Sequence, residues 1–246
     1  MFISSDFLEI HYGVDGKIAR FFVNREPPAD NLYWKGKELY LRPAPGYLFI
    51  PLIVDLLYKL GIDRQQLLSE EFVATMEQIG HISALEETKQ ISAEEAIKKC
   101  SELVKDTCTN KDWYKNVSDY LNGKDADFFT GLAVPFKALQ RGDLFLFALC
   151  ALQFSKELYE KIAAQWFALI STLLLLDDAE DIQADKETGD ENAFLESGMT
   201  AQGFKKITDL VNDNLQKLSI LNPAMSLQLK KQYTDYIEKS KLINCK

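Results

Sequence analysis

The chain reads as an all-α protein, and three features of its sequence predict that class. Apolar residues recur at helical spacing, as in Phe204, Ile207, Leu210, Val211, Leu215 and Leu218, which fall on one face of a 3.6-residue helix. Capping residues stand where such runs begin: Ser69 before Glu70-Glu71-Phe72, and Ser92 in the capping box Ser92-Ala93-Glu94-Glu95. Helix breakers are few, with 12 Gly and 7 Pro in 246 residues, and most of the Pro precede residue 52.

The elements follow in order. Phe7 to Tyr12 and Ile18 to Val23 flank Gly13-Val14-Asp15-Gly16, a pattern that suits either a hairpin or two short helices. Pro27-Pro28 and Pro43-Ala44-Pro45-Gly46 bracket an irregular stretch, so residues 1–46 form an irregular N-terminal region of a single domain spanning 1–246. Leu48 to Leu60 is almost wholly apolar and meets a C-terminal stop at Gly61. Ser69 predicts a helix running to about Lys89, and Ser92 predicts one that starts near Ala93. Helices are also expected over Asp127 to Gln140 and Asp143 to Ser155, parted by Arg141-Gly142, and from Lys156 to about Asp181. Two amphipathic helices close the chain, the second marked less regularly by Leu227, Leu229, Tyr233, Tyr236 and Ile237.

Composition removes several function classes. A hydrophobic share of 47% with 11% aromatics suits a folded core and excludes a disordered chain. The net charge of -9 argues against a nucleic-acid partner, which requires clustered Lys and Arg. Cys100, Cys108, Cys150 and Cys245 form no CxxC pair, so zinc and thiol catalysis are not expected and reduced thiols are. The N-terminus has no basic-then-apolar leader, and Ile162 to Leu176 falls short of the roughly 20 residues that span a bilayer. A cytoplasmic protein without a stable membrane span is the expectation. Ser-His-Asp, Cys-His, Walker-type and GxGxxG constellations do not occur in the sequence.

The sharpest chemical feature is Asp177-Asp178-Ala179-Glu180-Asp181-Ile182-Gln183-Ala184-Asp185, directly after the apolar run Trp166 to Leu176. On a helix Asp177, Asp181 and Asp185 stack on one face and repel one another. Hard cations such as Mg2+ would relieve that repulsion by bridging them to a phosphate-bearing ligand.

This segment resembles the second aspartate-rich motif of the trans-polyprenyl diphosphate synthases, of the class I isoprenoid synthase fold. The matching residues are Asp177, Asp178, Asp181, Asp185 and Gly189. The family's Phe-Gln before the motif is Leu173-Leu174 here, and its Gly-Lys after it is Gly189-Asp190. Phe129-Thr130-Gly131-Leu132 resembles the family's Lys-Thr-xx-Leu segment with Phe129 in place of the phosphate-binding Lys. Glu77 to Leu85 is similar to the helix that leads to the first aspartate-rich motif, which on that register falls at Glu87-Thr88-Lys89-Gln90-Ile91 and is absent. Gly36-Lys37-Glu38-Leu39-Tyr40-Leu41-Arg42-Pro43 looks like a distorted form of the segment that holds the homoallylic diphosphate.

The resemblance implies an isoprenoid-synthase-like helical bundle. Asp177, Asp178 and Asp181 would be metal ligands for Mg2+, and Lys37 and Arg42 would contact an isoprenoid diphosphate. The activity implied is that of a Mg2+-dependent prenyl transferase acting on allylic diphosphates, impaired by loss of the first motif. The alternative is a non-catalytic binding or regulatory subunit that keeps the fold and pairs with an active synthase. A homodimer is usual in the family, and Leu144 to Ala151 suits either such an interface or the core.

Other features carry blander readings. Acidic runs commonly mark solvated helix ends, and Lys137, Arg141 and Lys156 fit solvent-facing roles. Glu86 and Glu87 would serve a single metal at best, with Lys89 opposing a cation cluster. His81, between Ile79 and Ile82, suits a partly buried structural role better than that of a base. Phe128, Phe129, Phe136, Phe145, Phe147, Phe154, Trp166 and Phe167 suit ordinary core or the lining of an isoprenoid-shaped cavity.

Overall fold

The computed structural model describes residues 3–26, 40, 45–124, 126, 129, 132 and 134–239. Among these every regular element is helical. The N-terminal ambiguity resolves into two short helices, α1 (Ser5–Tyr12) and α2 (Gly16–Asn24). Ser4 caps the first and Asp15 the second, while Gly13 takes the left-handed conformation (φ 60°) that ends α1 and turns the chain.

Helix α3 (Pro45–Lys59) is the expected apolar helix, with Gly61 (φ 98°) just beyond it. After the short α4 (Arg64–Leu67), Ser69 Oγ accepts from Phe72 N–H and opens α5 (Glu70–Glu87). Ser92 Oγ accepts from Glu95 N–H at 3.2 Å and opens α6 (Ala93–Val104). The sequence reading did not anticipate α7 (Lys111–Leu121), which is capped by Asn110 and buries Trp113 and Val117.

A second difference lies at 137–151. Continuous α-helices are expected there, but the chain forms tight 3-10 turns over Lys137–Gln140 and Asp143–Ala151. The cause is tertiary. Leu144 to Cys150 are all buried, so this segment has no polar face to orient it. Its carbonyls find partners elsewhere: Leu146 C=O accepts from Trp113 Nε1–H at 3.0 Å, and Cys150 C=O from the N–H groups of Thr109 and Asn110. The segment belongs to the core, with α5, α6 and α7 packed on it.

A 3-10 turn over Lys156–Leu158 leads into α8 (Tyr159–Thr188), which extends past Asp181 and stops at Gly189 (φ 77°). The segment Lys156–Thr188 is long and apolar enough to cross a bilayer by length and composition, but 83% of its most apolar stretch is buried inside the protein. It is the central core helix. Helix α9 (Ala193–Glu196) folds back on its end, and α10 (Ala201–Leu221) and α11 (Pro223–Lys239) complete the fold. Helices α3 and α10 flank α8, and α11 bridges α8, α10 and α1 around one continuous apolar core.

Two buried polar clusters knit distant parts together. Asp55, fully buried, accepts from Asp15 N–H at 2.8 Å and Asn222 Nδ2 at 2.9 Å and pairs with Lys59. Asn222 Nδ2 also donates to Tyr12 C=O at 2.9 Å. In the other cluster Arg25 holds Glu77 in a two-pronged grip (2.5 and 2.8 Å) and reaches Glu70 at 2.8 Å, while Tyr40 donates its hydroxyl to Glu77 at 2.7 Å.

Candidate functional site

The acidic motif lies on the last three turns of α8, not at its extreme end. Asp177, Asp181 and Asp185 share a face, while Asp178 is turned about 100° away by the helical step. That rotation decides its role. Asp178 is 1% exposed, and both its carboxylate oxygens are engaged. Oδ1 accepts from Arg141 Nη2 at 2.5 Å and Oδ2 from Ala193 N–H at 2.7 Å. Burial pushes its carboxyl up to about 6 against the pull of Arg141 and of the Ala193 N–H.

Asn192 completes this corner. Its amide Nδ2 donates to Asp178 C=O and to Asp185 Oδ2, both at 2.8 Å. Its Oδ1 caps α9 by accepting from Phe194 and Leu195 N–H. The acids of α8 thus hold the chain reversal that follows Gly189.

Arg141 is the group that sequence reading missed. Expected to face solvent, its side chain is only 18% exposed and points into the acidic corner. Ser83 Oγ donates to Arg141 C=O at 3.2 Å, and Arg141 Nη1 donates to Glu191 C=O at 3.1 Å. Its charge is felt by Asp178, Glu87 and Asp177, all of which hold the guanidinium above its usual range against the opposing effect of burial. Its partner Asp178 lies 37 positions away, so no local pattern could reveal it.

Gly142 makes this placement possible. A Cβ added there would stand 2.4 Å from Ile170 Cγ1 on α8. Gly142→Ala is therefore expected to push the Arg141 turn off α8 and to lower stability by about 1–3 kcal/mol, the usual range for overpacking. Urea unfolding checks this, and a loss under about 0.5 kcal/mol would count against the close approach.

Between α3, α5 and α8 lies a cleft of about 260 Å³. Its walls are apolar: Phe49, Ile50, Phe145, Ile170, Leu173 and Leu174. Phe49 stacks edge-on against Trp166 (5.1 Å) and Phe145 (5.2 Å), which stiffens one wall. At the mouth stand Glu87, Arg141 and Asp177. Asp177 is held above the usual carboxylate range first by burial and then by Asp181, Asp185 and Glu180, with Arg141 opposing. Glu87 is raised by desolvation at the crowded mouth, lowered by Arg141, and raised again by Asp177 and Glu86.

The predicted site residues therefore divide. Asp177 is half-buried at the cleft mouth, Asp181 is exposed, and Asp178 is turned into the protein against Arg141. The structure does not bring these three carboxylates into one ligand shell. Among the described residues no group of three or more His, Cys, Asp or Glu side chains is placed to hold one metal ion. Lys37 and Arg42 lie outside the described residues, as does Phe128 of the aromatic set. Of that set Phe145 lines the cleft, whereas Phe129, Phe147 and Phe167 are buried core. Lys137 is exposed and pairs with Glu191 at 2.6 Å.

No family model, curated protein or solved structure matches the chain.

Proposed function

We propose that the chain is a divergent polyprenyl-synthase-like helical protein that holds an apolar, isoprenoid-type chain in the cleft between α3, α5 and α8. In this reading it acts as a binding or regulatory subunit and not as a prenyl transferase. One observation carries the choice: a fixed guanidinium, Arg141, stands among Asp177, Asp178 and Glu87 at the cleft mouth.

Ionising an allylic diphosphate needs several divalent cations that polarise the leaving group and neutralise its developing charge. The donor set does not fit such a cluster, because Asp178 has given both oxygens to Arg141 and to Ala193 N–H. A single guanidinium cannot substitute. It carries one charge, has no Lewis acidity, and is already engaged by Asp178 and Glu191 C=O. Without metal, a diphosphate at this mouth would face the carboxylates of Asp177 and Glu87 beside the guanidinium of Arg141 among the described residues. The apolar walls carry no such penalty for a prenyl chain, and an uncharged polar end would find both donors and acceptors at the mouth.

The reading is tested by thermal unfolding with farnesol, with Mg2+, and with Mg2+ plus a non-hydrolysable farnesyl diphosphate analogue. Farnesol is expected to stabilise without Mg2+, by about 2.7 kcal/mol at a hundred times its Kd. A rise in Tm that requires both Mg2+ and the diphosphate analogue would replace this reading with Mg2+-dependent prenyl transfer through Asp177 and Asp181. No shift under any condition would remove the cleft as a ligand site.

A further inference from the structure

Away from the cleft, the link between α6 and α7 runs over the end of the 3-10 segment Asp143–Ala151. Donors from this link converge on one carbonyl. Cys150 C=O accepts from Thr109 N–H at 3.0 Å, from Asn110 N–H at 3.1 Å and from Thr109 Oγ1 at 3.4 Å. The residue just before these donors is Cys108. The seam lays it beside Cys150, and the two thiols share a hydrogen bond. Both are free thiols. A disulfide needs Cα atoms roughly 4.4–6.8 Å apart and side chains that point at one another. The bond from Thr109 N–H to Cys150 C=O draws the backbones together, and the thiol contact supplies the orientation.

The pair is asymmetric in access. Cys150 is fully buried, whereas Cys108 is partly exposed at the edge of the core. An open groove of about 380 Å³ begins at the next residue, lined by Thr109, Asn110, Lys111, Asp112, Gln153 and Phe154. A reagent from solvent therefore meets Cys108 first, with Cys150 waiting behind it. Burial holds the Cys108 thiol above its ordinary range, against the pull of Asn110 N–H, the Cys150 thiol and the Lys111 charge, so mildly alkaline solution favours its reaction.

We infer that Cys108 and Cys150 form a reversible disulfide, closed by exchange with a low-molecular-weight disulfide such as oxidised glutathione, which fastens the α6–α7 link to the 3-10 core segment. The Cys108 thiolate attacks one sulfur of oxidised glutathione. A Cys108–glutathione bond forms, the reagent's own S–S bond breaks, and one glutathione leaves as the thiol. Cys150 then attacks the Cys108 sulfur, the bond between the two cysteines forms, and the second glutathione leaves. The protein gives up two electrons and two protons, and the reagent takes both to end as two thiols. A dithiol reductant runs the exchange backwards.

The test incubates the full chain with oxidised glutathione at about pH 8.5, quenches with an alkylating reagent and maps unreduced tryptic peptides by mass spectrometry. Peptides 106–111 and 142–156 are expected to be joined, with the intact mass lower by two hydrogens. Oxidation should raise Tm by about 5–15 °C, because it closes the loop 108–150 in the unfolded chain, and dithiothreitol should abolish the rise. Cys150→Ala should halt the reaction at one glutathione on Cys108. Cys108→Ala should leave Cys150 unmodified in the folded chain, which separates ordered exchange from random oxidation. Cys100 is the internal control: it is fully buried on α6 with its thiol raised to about 12 by burial, and it should stay unmodified. The inference is overturned by a lasting glutathione adduct on Cys108 of the unmutated chain without the joined peptides, by linkage of Cys108 to Cys245 in place of Cys150, by a fall in Tm on oxidation, or by no reaction within hours.

Discussion

Asp178→Ala is expected to destabilise the protein by about 3–5 kcal/mol, the range for removing one partner of a buried ion pair. The loss has two sources. Arg141 would be left largely buried without the carboxylate that holds it, and Ala193 N–H would lose its acceptor at the start of α9. Asp178→Asn should lose less, because an amide oxygen still accepts one of these hydrogen bonds. The joint replacement Arg141→Met with Asp178→Leu should recover most of the stability, since a well-packed apolar pair can match a buried ion pair. Urea unfolding measures all three. A loss under about 1 kcal/mol for Asp178→Ala would mean that the carboxylate is free to leave Arg141, and the metal-ligand role would regain its standing.

Glu77→Ala should be nearly as severe, at about 3–5 kcal/mol. Glu77 is fully buried on α5 and anchors both Arg25 from the end of α2 and the Tyr40 hydroxyl. Its removal leaves a guanidinium and a phenol facing each other without an acceptor between them. The internal control is Glu70, which binds the same Arg25 but whose side chain is 76% exposed. Glu70→Ala is expected to cost less than about 1 kcal/mol, as solvent screens that arm of the pair. Equal losses at the two positions would show that the burial of Glu77 contributes nothing, and that would sink the argument.

What the sequence discloses here is what depends on neighbours in the chain. Ser69 and Ser92 mark helix starts because a cap is a contact over three residues, and both bond as read. The apolar run ending at Leu176 declares a buried helix by composition alone. Helix α7 escaped because it offers only Trp113 and Val117 as buried positions, too few to set a period. The 3-10 geometry at 143–151 escaped for the opposite reason: an all-apolar run has no period, and its backbone partners lie in Thr109, Asn110 and Trp113. At the site, the stacking of Asp177, Asp181 and Asp185 is plain from a spacing of four. The different part played by Asp178 depends on Arg141 and Ala193, which approach only in the folded chain.

The clasp around Asp55 sets an order of events in time. Asn222 joins Asp55 across 167 positions and Tyr12 across 210, so this part of the clasp, unlike the nearer contacts of Asp15 N–H with Asp55 and of Arg25 with Glu77, closes only after residue 222 has been made. At synthesis rates of roughly 5–20 residues per second, the wait lasts on the order of ten seconds or more. During that interval Asp55 Oδ1 can already accept from Asp15 N–H, while Oδ2, apart from Lys59 one turn along its own helix, stays in contact with water. The clasp at Asp55 is therefore completed late, by the residue that joins α10 to α11.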